Sequence, residues 1–155
     1  MVRGLKRVLA SASSVLVLFV LSGCGAKYGP NISGPPACPV TGQVVVDGVP
    51  AQGVLVTMIP EEGVGEGHPA AGGFTDEAGE FTPTTYKPQD GAPVGKYKVM
   101  LSWIKIVDPT SNRDSQPPEA EQLPKKYQNP ATSGITAEVE EGGGDLPPFE
   151  VSTKG

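Results

Sequence analysis

The sequence predicts an all-β fold, an antiparallel β-sandwich of about seven short strands. Three observations predict it. Gly 21 and Pro 17 in 155 residues penalise helix interiors and supply turns. Several short runs alternate apolar and polar residues at period two. Turn signals such as Asp47-Gly48 and Gly142-Gly143-Gly144-Asp145 separate these runs, and no segment past the N-terminal stretch shows a helical period.

Residues 1–23 come first and read as a secretory signal. Arg3, Lys6 and Arg7 make a positive start, and Val8 to Leu21 form an apolar run. That run is shorter than the ~20 residues a spanning helix needs. Leu21-Ser22-Gly23-Cys24 closes it in the pattern of a bacterial lipobox, with small residues where a peptidase active site tolerates little volume. The expected chemistry is diacylglycerol attachment to the Cys24 thiol, cleavage before Cys24 and acylation of the freed amine. At roughly 0.8 kcal/mol per buried methylene, several acyl chains exceed the two signals that stable anchoring takes. The expected location is the cell envelope, with the membrane as first partner. Gly25 stands where some bacteria place an aspartate for inner-membrane retention, which favours the outer membrane.

Residues 24–39 carry no periodic apolar pattern and read as a tether, partly stiffened by Pro30, Pro35, Pro36 and Pro39. Lipid on Cys24 takes that sulfur out of disulfide chemistry, so Cys38 is expected to lack an intrachain disulfide and to lie in the tether. The domain is expected over 40–155.

Within it, Val40, Gly42, Val44 and Val46 alternate with Thr41, Gln43 and Val45 as a first strand, closed by the Asp47-Gly48 turn. Val54, Val56 and Met58 mark one face of a second, which Pro60 ends. The Gly- and Glu-rich segment 61–72 reads as a loop. Gly73-Phe74-Thr75 and Glu80-Phe81-Thr82 flank the turn Asp76-Glu77-Ala78-Gly79 as a compact hairpin, with Phe74 and Phe81 expected in the core. Residues 83–93 form a proline-broken connection. Gly95 to Trp103 is the clearest strand, with Tyr97, Val99, Leu101 and Trp103 on one face and Lys96 and Lys98 on the other. The apolar parity then flips to Ile104 and Ile106, which predicts a bulge or an end buried on both faces. Residues 108–122 read as a long mobile loop, and Leu123 to Tyr127 as a short anchored segment. Ile135, Ala137 and Val139 mark a further strand, and Pro148 to Val151 the last.

The run Val40-Thr41-Gly42-Gln43-Val44, with Asp47-Gly48-Val49-Pro50 and Ile59-Pro60, resembles the opening of carboxypeptidase regulatory-like domains. Gly73-Phe74-Thr75-Asp76-Glu77-Ala78-Gly79-Glu80-Phe81 is similar to their central hairpin, and Gly95-Lys96-Tyr97-Lys98-Val99 to a following strand. The likeness spans residues 40–103. The rest of the chain looks like small bacterial lipoproteins that carry this domain and little else. The resemblance implies a transthyretin-like (prealbumin-type) sandwich serving as an accessory module without catalytic residues. Enzymes of similar fold need several histidines, or two histidines and two tyrosines on iron, and this chain has His 1.

Charge and chemistry narrow the function further. Losing Arg3, Lys6 and Arg7 takes the formal net charge from −5 to −8, and no Lys/Arg cluster remains, which argues against nucleic acid. His68 lies in the polar loop Gly65-Glu66-Gly67-His68-Pro69, and no G-x-S-x-G motif accompanies it. Asp47, Asp76, Glu77 and Glu80 flank turns, and Glu61, Glu62 and Glu66 share a loop, without the D-x-D-x-D spacing of a calcium loop. No catalytic residue, metal or cofactor is expected. Trp103 and Tyr97 are expected to pack in the core, whereas Tyr86 and Tyr127, in connecting segments, are the candidates for exposed aromatic contacts. Glu138, Glu140 and Glu141 read as a solvated strand edge.

The expected function is therefore a non-enzymatic envelope lipoprotein whose sandwich is a structural or protein-interaction module. Loops 61–72 and 108–122 are the expected contact surfaces. The alternative is a carbohydrate-binding module acting on envelope polysaccharide through Tyr86 and Tyr127.

Overall fold

The computed structural model describes residues 34–65, 67–106 and 110–154. Residues 1–33, on which the expected signal segment, Cys24 and the first part of the expected tether fall, lie outside the described residues. Eleven strands follow in chain order: β1 (Ala37–Cys38), β2 (Val40–Val46), β3 (Val49–Pro50), β4 (Leu55–Pro60), β5 (Ala71–Phe74), β6 (Glu80–Phe81), β7 (Ala92–Pro93), β8 (Gly95–Ser102), β9 (Ile135–Val139), β10 (Gly144–Asp145) and β11 (Phe149–Val151). Helical geometry among the described residues is confined to three 3-10 turns, Arg113–Ser115, Pro118–Ala120 and Lys125–Gln128. The chain is all-β, as its composition and periodicity predict.

The first sheet is antiparallel, in the order β5-β4-β8-β9. Period two puts Val56 and Met58 of β4, with Val54 just before it, on the same buried face as Tyr97, Val99 and Leu101 of β8. Lys96 and Lys98 take the opposite face and are exposed. The Tyr97 hydroxyl donates to the Pro93 carbonyl at 2.7 Å, and burial pushes its pKa up to about 12.

The second sheet is built around β2. On one side β3 and β6 pair with it antiparallel. On the other, β10 and β11 run parallel to it, Gly144 opposite Val40 and Phe149 opposite Val44, so the register slips by one residue between them. They form one C-terminal strand interrupted by a bulge at Leu146-Pro147-Pro148. The expectation of an entirely antiparallel arrangement is corrected here. Buried residues of both sheets join one apolar cluster that includes Val44, Val56, Val99, Val139 and Phe149.

Asp47-Gly48 forms the tight turn between β2 and β3, with φ +50 and +83, the conformation a two-residue hairpin demands. The segment 71–81 departs from the expected hairpin. Its arms join different sheets, β5 pairing with β4 and β6 with β2. Asp76 organises the crossing, its carboxylate accepting from the backbone N–H of Ala78 and Glu80 at 2.8 and 2.9 Å. Phe81 is buried, but Phe74 is 56% exposed. The register explains the difference: Phe74 sits opposite Leu55, and both lie on the outer face of the first sheet.

Three further expectations are corrected. β8 ends at Ser102, Trp103 is half-buried and Ile106 is 51% exposed, so the strand end is not covered on both faces. The described part of 108–122 is tied down rather than loose. The Glu121 carboxylate accepts from Ser102 Oγ, Trp103 N and Leu123 N, and Arg113 donates to Ser102 while lying 5.1 Å over the Phe74 ring. Finally, Cys38 is fully buried and disulfide-bonded, and β1 pairs with β7, so the end of the segment read as a tether belongs to the folded body.

Candidate functional site

β9 is the outer strand of the first sheet, and β10 begins the outer strand of the second. The chain passes between them through Glu140-Glu141-Gly142-Gly143, where Gly143 N bonds Glu140 O at 3.1 Å. Positive φ at Gly142, Gly143 and Gly144 makes the reversal tight. Gly144 N then bonds Pro39 O at 3.0 Å and Leu146 N bonds Thr41 O at 2.8 Å, which fixes β10 against the start of β2.

A groove of about 720 Å³ lies between these two sheet edges. Apolar side chains line part of it, with Val40, Ala137, Val139 and Leu146 all buried. Four carboxylates, Glu61, Glu138, Glu140 and Asp145, line the remainder with a single ammonium, Lys96. Lys96 stands opposite Glu138 in the β8–β9 register and offsets that charge first. Asp145 accepts from Thr41 Oγ1 at 2.5 Å. Among the described residues the lining holds no histidine, cysteine or serine. Its charge suits reception of positive charge along a strand edge.

A second, smaller hollow of about 410 Å³ lies beside β11, lined by Val45, Gly48, Tyr127, Glu150, Val151 and Ser152. Near it, Asp47 receives Ser152 Oγ at 2.7 Å and Thr153 Oγ1 at 2.5 Å. The Thr153 and Ser152 hydroxyls hold the Asp47 carboxyl below its ordinary pKa of 3.8. This is a clasp on the C-terminal strand.

The residues singled out from sequence fall in separate places. Tyr127 is only 8% exposed and packs in the core, with Lys126 Nζ 4.9 Å over its ring. Tyr86 is half-buried and its hydroxyl donates to Pro35 O at 3.0 Å. The expectation that Tyr127 presents an exposed aromatic face is therefore corrected: its side chain closes the core beneath the 3-10 turn Lys125–Gln128. His68 is exposed in its loop and meets Glu62 Oε2 at 3.2 Å. Among the described residues no three His, Cys, Asp or Glu side chains converge as a metal site, and no helix is long and apolar enough to cross a membrane. Cys24 lies outside the described residues.

Sequence reasoning missed the groove because it joins residues from both ends of the domain. Its two local signals were the alternation of Glu138 and Glu140 with Ala137 and Val139, and the triple glycine that follows. Comparison with known proteins adds no relative: no protein-family model, curated protein or solved structure matches the chain.

Proposed function

We propose that the chain is a lipid-anchored lipoprotein of the bacterial cell envelope whose β-domain acts as a structural or protein-interaction module rather than as an enzyme. One observation carries the reading: the lipobox Leu21-Ser22-Gly23-Cys24 closes a positively charged and then apolar N-terminal segment. The two sheets sharing one core support the finer reading of the domain as a transthyretin-like sandwich. The loops at 61–72 and 108–122 remain the proposed contact surfaces, and Gly25 favours the outer membrane as the site of the anchor. The polysaccharide-binding alternative loses an aromatic candidate with the burial of Tyr127.

The test is metabolic labelling of the full chain with a clickable fatty acid in a bacterial host. The wild type is expected to incorporate label and Cys24→Ala to incorporate none. Equal labelling of both, or of neither, sinks the anchor. The chain has Cys 2, so the proposed lipidated form cannot carry a Cys24–Cys38 bond, and the disulfide at Cys38 belongs to the form without the thioether. Intact mass before and after reduction separates the two forms.

A further inference from the structure

We propose that the outer edge of β9 receives an extended, lysine- or arginine-rich protein segment, which adds to the first sheet as a fifth strand and lies in the groove between the two sheets. The proposal rests on the reading of the domain as an interaction module and names the partner's chemistry.

Three observations converge on it. β9 pairs only with β8, and no residue of Ile135–Val139 makes a backbone-to-backbone hydrogen bond elsewhere among the described residues. Alternate N–H and C=O groups of an edge strand point outward and can template another chain. Next, the groove follows this edge, with apolar Val139 and Leu146 beside it. A strand bound there gains both ladder hydrogen bonds and burial of its apolar alternate residues.

Charge selects the occupant. Glu138 and Glu140 are exposed two positions apart, about 6–7 Å along a strand, which is the spacing of alternate side chains on an added strand. Glu61 and Asp145 enlarge the negative field, and among the described lining residues Lys96 is the one ammonium that opposes it. A second copy pairing through β9 would bring the same glutamates together, and like charges across a strand pair repel. The same carboxylates that bar self-pairing admit a basic strand.

The test uses full-length protein in detergent and a fluorescent peptide of alternating lysine and valine, with a glutamate-for-lysine peptide as control. The expected result is binding that weakens steeply between about 50 and 500 mM salt. Binding should bring new amide protection over residues 135–139, and Glu138→Lys with Glu140→Lys should lower affinity about ten-fold or more. Glu138→Lys would face Lys96 across the β8–β9 register, so the double variant should melt somewhat below the wild type; Glu140→Gln, exposed and beyond the end of β9, keeps the fold and should show a smaller loss of affinity. Absence of binding up to about 1 mM overturns the proposal. So does equal affinity for the glutamate peptide or the double variant, or protection confined to other segments. Failure here with fatty-acid labelling of Cys24 intact removes the groove and leaves the anchor, and the reverse result does the opposite.

Discussion

Thr75 shows how one side chain joins two parts of the fold. Its hydroxyl donates to Ala51 O at 2.6 Å and accepts from Val54 N at 2.9 Å, at 4% exposure. Its backbone also bonds Gly53 N and Val54 O. Thr75→Val keeps the shape but leaves a buried donor and a buried acceptor unpaired, so it should lower stability by about 1–3 kcal/mol in urea denaturation. Thr75→Ser should recover most of the loss, and a valine variant of unchanged midpoint would show that water replaces the hydroxyl. The residue was legible in sequence as a position in the Gly73 to Phe81 pattern, but its task was not. Its partners are more than twenty residues upstream, and nothing local marks them. Burial of Tyr97 followed directly from period two; burial of Tyr127 did not, because a 3-10 turn has no comparable alternation.

Among the elements, those with a strong internal period were read correctly. β2, β4 and β8 each alternate, and each buries the predicted face. The described part of 108–122 was misread because its order comes from side-chain bonds of Arg113 and Glu121, which leave no periodic trace. The hairpin at Asp47-Gly48 was legible, whereas its second duty of clasping Ser152 and Thr153 was not. That duty has a pH signature. Because the Asp47 pKa is lowered in the folded chain, its contribution is complete above the ordinary value of 3.8 and is lost as pH falls through the lowered one. The protection of the Thr153 amide, its exchange relative to the intrinsic rate at the same pH, should therefore hold down to about pH 4 and fall below that. Asp47→Asn should flatten this dependence; an unchanged acid profile in that variant would place the sensitive group elsewhere.

At the scale of the whole molecule, the sequence conveyed an all-β body of short strands but not the pairing of its ends. Whether β10 and β11 lie parallel to β2 depends on contacts more than 100 residues apart, beyond any local turn signal. The junction where these ends meet is packed closely. A Cβ on Gly143 would come within 1.9 Å of Pro39 O, whereas one on Gly142 would meet nothing within 4 Å, although both have positive φ. Gly142→Ala should then cost only the backbone strain, about 1–3 kcal/mol. Gly143→Ala should cost clearly more in thermal or chemical denaturation, and equal losses would mean that Pro39 moves aside. This junction also sets how the domain meets force. A pull arriving from the N-terminal side reaches Pro39 before it reaches β2, and there the chain is gripped by Gly144 and, through β1, by β7. Tension is thus shared sideways into segments distant in sequence before it reaches β2, with Cys38 of β1 anchored in the same core as Val44.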